Sequence, residues 1–230
     1  MHLSSLLRME WFVNNHLDKL PPPPRKTISV LDVGSYDVNG SYKTFFTDVT
    51  KYSYIGLDME SGPNVDVVAE TPYYWSMFED ESFDVVISGQ AFEHIEFFWL
   101  TLAEMIRVLK RGGLMCIIAP CKFKRHAYPI DCYRFDVDGM IALARYGNLL
   151  PRHATENLAP PNAPLGWYPP GYTDSMLIAE KPIEWSGLVN HREYKFSPVN
   201  YEDLKSGFVT GEEHEFPKEE YYKLKSRFMS

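Results

Sequence analysis

Apolar residues recur at two different spacings along this chain. Leu6, Met9, Val13 and Leu17 follow one another at three- and four-residue steps, which predicts an amphipathic helix over residues 4–17. Trp11 and Phe12 lie within it and are expected in the core, the usual place for such a pair, or else over a ligand site. Four consecutive prolines, Pro21 to Pro24, cannot donate backbone hydrogen bonds and predict a stiff connector. From Thr27 the pattern changes to a β-branched apolar run, Ile28-Ser29-Val30-Leu31, suited to a strand buried on both faces. Further strands are predicted over residues 52–59, 65–69, 83–88, 114–120 and 175–179.

Helical signals lie between these runs. A crossover helix is expected over residues 41–49. A stripe of Trp99, Leu102, Met105, Ile106 and Leu109 predicts a second helix, with Lys110, Arg111 and Gly112 at its carboxyl end. Asp136 is placed to cap a third helix over residues 137–146, which Gly147 would end. The stretch 158–172, dense in proline and carrying Trp167, Tyr168 and Tyr172, reads as an ordered loop over one sheet edge, and residues 219–228 as a terminal helix. Strands alternating with helices predict an α/β domain.

Length and composition sharpen this. The 230 residues suffice for one such domain with additions, and there is no internal repeat. A net charge of −8 argues against an extended nucleic-acid surface, because polyanion binding rests on Lys and Arg. Cys116, Cys121 and Cys132 form no C-x-x-C pair and no zinc spacing, so no metal is expected. They read as reduced thiols of a cytoplasmic protein, and no apolar run suggests a signal peptide or membrane span.

The loop after the first strand carries the chemistry. Gly34 lets the backbone approach a neighbour closely, while Asp32 and Asp37 flank it. Dinucleotide-binding loops turn amides toward a pyrophosphate, which two carboxylates would repel. They suit a cationic ligand without phosphate, and S-adenosyl-L-methionine fits: a sulfonium, an ammonium and an adenosine with free ribose hydroxyls.

At this point the motifs point to a family. Leu31-Asp32-Val33-Gly34-Ser35 resembles motif I of class I S-adenosylmethionine-dependent methyltransferases. Ile55-Gly56-Leu57-Asp58 resembles the end of the family's second strand, and Ser82-Phe83-Asp84-Val85-Val86-Ile87-Ser88 its fourth. Phe92-Glu93-His94-Ile95 resembles the "leEHi" turn, and Arg107-Val108-Leu109-Lys110-Arg111-Gly112-Gly113 the "rvLkpGG" turn. Tyr133-Arg134-Phe135 resembles the "yRFtpdg" segment of one bacterial and viral branch. The resemblance spans about residues 27–182, leaving 1–26 as a leading helix and connector and 183–230 as an extension. One departure stands out: Tyr36 and Val38 replace later glycines of motif I, so Asn39-Gly40 is expected to supply the turn.

The resemblance implies a Rossmann-like, seven-stranded, mostly parallel sheet with helices on both faces. It implies S-adenosylmethionine held by Asp32, Gly34, Ser35 and Asp37, by Asp58 and Met59, and by Glu70, Gly89 and Gln90. Asp58 would clamp the ribose hydroxyls, Glu70 the adenine amino group, and Gly89 with Gln90 the methionine part. Asp84, at the far end of its strand, is structural.

Methyl transfer to a hydroxyl also needs a base, expected on the loops after strands four and five. His126, oriented by Asp131, is the first candidate and His94 the second. Lys122, Lys124 and Arg125 reverse the chain's overall sign locally and suggest docking of an anionic acceptor, with Tyr133 and Arg134 nearby. Arg134 pairing with Asp131 or Glu93 purely for structure is the alternative. The expected reaction is O-methylation of a small hydroxylated acceptor, a sugar or glycan. The rivals are a small-molecule N-methyltransferase, a nucleic-acid or protein methyltransferase and a non-catalytic cofactor-binding module; a nicotinamide oxidoreductase is disfavoured by the acidic loop.

Overall fold

The computed structural model describes residues 3–17, 20, 27–156 and 173–195. The proline connector, the stretch 158–172 and the terminal helix over 219–228 lie outside the described residues. Among the described residues, seven strands form one sheet: β1 (Ile28–Val33), β2 (Tyr52–Asp58), β3 (Val67–Val68), β4 (Phe83–Gly89), β5 (Leu109–Lys122), β6 (Leu150–Glu156) and β7 (Thr173–Glu180). Their order is β3-β2-β1-β4-β5-β7-β6. Only β7 runs against its neighbours β5 and β6; the remaining pairs are parallel. The expected Rossmann-like sheet is therefore present. After β3 the chain crosses to the other side of β1, and the crevice at such a reversal, at the carboxyl ends of the strands, is where open α/β sheets bind ligands. There Val33 of β1 lies beside Ser88 of β4.

Period-two alternation sends successive strand residues to opposite faces and makes two cores. Helices α2 (Phe98–Val108) and α3 (Val137–Tyr146) bury Leu102, Met105, Ile106, Met140 and Ile141 against Leu31, Val86, Ile117 and Leu177. On the other face, α1 (Leu3–His16) buries Leu6, Met9 and Phe12 against Val30, Val85, Ile87 and Cys116. Each such fully buried side chain contributes about 1.5–3 kcal/mol. Phe12 is thus a core residue, and Trp11 packs against the rings of His16 and His153.

Several elements differ from expectation. Residues 41–49 form no crossover helix but a single 3-10 turn, Tyr42–Phe45. Ser41 accepts from the Lys43 amide, and Asp48 accepts from the amide and hydroxyl of Thr50. Such local bonds compete with helix, and the β-branched Thr44, Thr47 and Val49 disfavour it further. β3 shrinks to two residues.

Strand β5 starts at Leu109, so Lys110, Arg111 and Gly112 belong to the strand and not to a helix end. Lys110 stands 2.7 Å from Asp84, which also holds Ser29; Asp84 is structural, as expected. Arg111 pairs with Glu81 at 2.9 Å. The carboxyl end of α2 is served instead by Lys181, buried, whose Nζ donates to the carbonyls of Ile106 and Leu109. Asp136 occupies the cap position of α3 without a capping bond; its carboxylate accepts from the Cys121 thiol at 2.7 Å.

β6 was not anticipated. Its sequence, Leu-Pro-Arg-His-Ala-Thr-Glu, lacks an apolar run, and pairing with β7 makes it a strand. It is the sheet's edge, where Pro151 is tolerated. Packing also continues past the expected boundary at residue 182: the Trp185 indole donates to the Gly147 carbonyl and the Val189 amide to that of Tyr146. No helix among the described residues is long and apolar enough to cross a membrane, and all three cysteines are free thiols.

Candidate active site

The first loop is organised from beneath. Gly34 has φ +81°, and a Cβ there would stand 2.5 Å from the Cβ of Ala91. Glycine thus lets the loop after β4 close against the loop after β1. The amides of Gly34 and Ser35 donate to the Leu57 carbonyl at 2.9 and 3.1 Å. Asp32 is buried under this loop and accepts the Tyr54 hydroxyl. Asn64, at φ 68°, donates to Tyr54 at 3.0 Å and to the Ser35 carbonyl at 2.9 Å. A Cβ on Gly56 would meet the Asn64 carbonyl oxygen at 2.0 Å. Tyr54 and Asn64 are supports that no motif marks, whereas Gly56 lies in the motif that ends the second strand.

Burial pushes the Asp32 carboxyl up to about 7; the Tyr54 bond opposes this and the charge of Asp58 adds to it. A carboxyl raised in the folded state favours the fold while protonated, and that contribution is lost as pH rises from about 4 to about 7. Asp32→Asn should therefore gain stability relative to the native chain across this window, by up to about 1.4 kcal/mol per pH unit. Chemical denaturation of both proteins without cofactor at several pH values measures it; a constant difference would show that Asp32 does not titrate there.

The acids around the loop have distinct positions. Asp37 accepts the Gly40 amide at 2.7 Å, and Gly40 has φ +115°, so Asn39-Gly40 does supply the turn. Asp58 accepts the Tyr36 amide on Oδ2 at 3.0 Å and the Met59 amide on Oδ1 at 2.7 Å. Oδ1 also accepts the Glu60 amide at 3.4 Å. These amides fix the carboxylate, and Oδ2, with one bond, keeps a further acceptor position for a ribose hydroxyl. The Ala69 amide donates to the Asp58 carbonyl at 2.8 Å, and Met59 and Glu70, which follow these two residues, are both exposed.

At the end of β4 a Cβ on Gly89 would stand 1.8 Å from the Tyr42 hydroxyl, so glycine admits that ring. Tyr42 is bonded to Ser5 of α1. Gln90 donates to Asp174 at 3.1 Å through Nε2, and Ser4 of α1 donates to the same carboxylate. The Gln90 side-chain oxygen is buried with no hydrogen-bond partner among the described residues, which leaves an acceptor for a cationic ligand group.

A second cluster lies on the 3-10 turn after β4, Phe92–His94, and the loop after β5. His94 and His126 meet edge to face, ring centroids 4.9 Å apart. Their Nε2 atoms stand 3.6 and 3.8 Å from the same Glu93 oxygen. His94 Nδ1 donates to the Ile130 carbonyl at 2.5 Å. His126 Nδ1 donates to the Lys124 carbonyl at 3.3 Å and lies 3.6 Å from Asp131. Asp131 accepts the His126 amide at 2.6 Å and two bonds from Arg134. The Arg134 bonds hold Asp131 well below the usual carboxylate range. Burial, then the neighbouring His94, push His126 down, which keeps it neutral. Burial pushes Glu93 up to about 8.

The structure thus brings His126, His94 and Asp131 together, and adds Glu93, which sequence reasoning noted only as an ion-pair partner. Its signal was its place beside His94. Arg134 also donates to the carbonyls of Phe123, Lys124 and Tyr133, which makes it the strut of this loop. Tyr133 donates to the Glu96 carbonyl and packs on Phe98. Among the basic residues, Lys122 lies 3.4 Å from Glu156, while Lys124 and Arg125 are exposed and form no ion pair among the described residues.

A family model described as a methyltransferase domain matches residues 42–117. No curated protein matches the chain. Among solved structures, the YcgJ protein of Bacillus subtilis is 14% identical, with a TM-score of 0.52 over 79% of this chain and 99% of that one. A geranyl diphosphate methyltransferase in complex with S-adenosylmethionine is 12% identical, with a TM-score of 0.53 over 76% of this chain and 85% of that one. The [4+2]-cyclase SpnF is 13% identical, with a TM-score of 0.54 over 77% and 82%. At these identities the likeness establishes a shared fold, and the cyclase shows that this fold also carries other chemistry.

Proposed function

Because a methyltransferase-domain model matches residues 42–117 on a methyltransferase-like fold, we propose that the chain is a class I S-adenosylmethionine-dependent methyltransferase that methylates the oxygen of a small hydroxylated acceptor, a sugar or a glycan. The cofactor, S-adenosylmethionine, supplies an electrophilic methyl group when bound. What remains for the protein is to align the acceptor and help its proton leave. The observation that carries the reading is the gathering of His94, His126 and Glu93 at the carboxyl edge of β4 and β5. A hydroxyl needs such proton-handling groups; a neutral amine already presents its lone pair.

On this reading Asp58 holds the ribose, Glu70 the adenine amino group, and the unpartnered Gln90 oxygen the cofactor ammonium. Lys124 and Arg125 line the acceptor entrance and favour an anionic sugar or nucleotide-sugar. The test is methyl transfer from labelled cofactor to a panel of neutral sugars, uronic acids, nucleotide-sugars and amines. Methyl ethers are the expected products, with the anionic acceptors preferred. Lys124→Glu with Arg125→Glu should then raise KM for the anionic acceptors several-fold and flatten its salt dependence, leaving S-adenosylhomocysteine affinity unchanged. Label found only on nitrogen would replace the reading by N-methylation. Cofactor binding without transfer to any acceptor would replace it by a binding module.

A further inference from the structure

The Glu93 carboxylate is an anomaly in an otherwise well-bonded site. It is fully buried, and neither oxygen accepts a hydrogen bond among the described residues. Arg134, the neighbouring guanidinium, is engaged by Asp131. Buried polar atoms without partners call for a missing ligand, water or ion. The atoms facing Glu93 are the Nε2 atoms of His94 and His126. Each ring donates from Nδ1 to a backbone carbonyl, which leaves the Nε2 lone pair directed toward the carboxylate. Outer hydrogen bonds of this kind orient histidines that ligate metals.

We propose that Glu93, His94 and His126 bind one divalent transition-metal ion, and that its open coordination positions receive the acceptor hydroxyl. The three ligand atoms lie within 4.8 Å of one another, and those from Glu93 to the imidazoles are 3.6 and 3.8 Å. Two ligands of one ion can stand at most twice a bond of about 2.0–2.2 Å apart, so the Glu93 pairs already fit and small side-chain rotations close the set. Two imidazoles and one carboxylate suit Zn²⁺, Mn²⁺, Fe²⁺ or Co²⁺ better than Mg²⁺ or Ca²⁺. Three protein ligands leave positions free, as in catalytic sites. A coordinated hydroxyl loses its proton to water more readily. Its oxygen then forms the bond to the methyl carbon as the carbon–sulfur bond breaks, and the sulfonium leaves as a neutral thioether. His126 acts here as a ligand, and the ion takes over the work otherwise assigned to a free base. Metal binding stands on its own geometry; only its use on a hydroxyl rests on the proposed O-methylation.

The experiment is titration of the full chain, stripped with chelator, with Co²⁺, followed by calorimetry and visible absorption. One Co²⁺ per chain is expected. His94→Ala, His126→Ala and the isosteric Glu93→Gln should each weaken it at least about tenfold to a hundredfold, the range that loss of outer-shell support alone produces. S-adenosylhomocysteine affinity serves as the fold check. Cys121→Ser should change nothing, although Cys121, Asp136 and Glu156 form another candidate group. No saturable binding, binding unaffected by both histidine variants, or binding lost with Cys121→Ser would overturn the site. Methyl transfer undiminished in the stripped enzyme would overturn its catalytic use. Binding as expected, without transfer to any acceptor, sustains the site and removes the proposed function.

Discussion

His126→Ala should lower kcat at least about a hundredfold while S-adenosylhomocysteine binds as before, within the roughly 10²–10⁴ range of general-base assistance. The residue sits on the loop after β5, its ring about a third exposed, so truncation leaves both cores untouched. Its Nε2 faces Glu93 and its Nδ1 is held by the Lys124 carbonyl and Asp131. Whether it takes the proton itself or holds the ion that acidifies the acceptor, the ring is required. His94→Ala separates the two. As a metal ligand His94 is as necessary as His126, and both variants should fall together. If His126 is a free base, only His126→Ala falls that far. Retained activity in His126→Ala would leave proton removal to water and most of the acceleration to proximity.

Asp58→Ala should weaken S-adenosylhomocysteine binding about tenfold to a hundredfold, because loss of hydrogen bonds to a charged group costs roughly 1.5–3 kcal/mol. The amides of Tyr36, Met59 and Glu60 fix the carboxylate and leave Oδ2 with a single bond. The alanine variant removes the ribose acceptor and also frees the Tyr36 amide that shapes the first loop. Asp58→Asn keeps one acceptor oxygen and most of the shape, so it should lose less. Calorimetry with S-adenosylhomocysteine and with NAD reads both effects. Tight NAD binding by the native chain would contradict the acidic-loop argument at its root.

The fold was legible where burial writes itself into the sequence. The apolar runs of β1, β4 and β5 lie on inner strands, buried on both faces over most of their length, so their composition had to be largely apolar. Leu102, Met105 and Ile106 of α2 and the span of α3 were equally plain, because one helical face meets one core; Trp99, expected in the same stripe, is exposed, and Leu109 begins β5. β6 was invisible because an edge strand draws its stability from the ladder with β7, not from its own residues. Residues 41–49 misled because the place of a crossover between strands outweighed the local signals, the Ser41 and Asp48 side-chain bonds and the β-branched Thr44, Thr47 and Val49, that favour a turn.

The site divides in the same way. The sequence by itself determined the chemical identities: acids around Gly34, an acid ending β2, and histidines after β4 and β5. It could do so because the chain order of an α/β sheet sends each of those loops to one edge. Only the tertiary structure decided what each group faces. Asp32 went beneath the loop, since Tyr54 reaches it from another strand and is itself held by Asn64 from a turn. Arg134 became a strut, since Asp131 and three carbonyls surround it. Glu93 was left without a hydrogen-bond partner among the described residues and faces two imidazoles, one anchored 36 residues away on the Ile130 carbonyl and the other on the Lys124 carbonyl. Such contacts depend on distance and direction across separate loops, and these are set by packing of the sheet and its helices, not by local sequence.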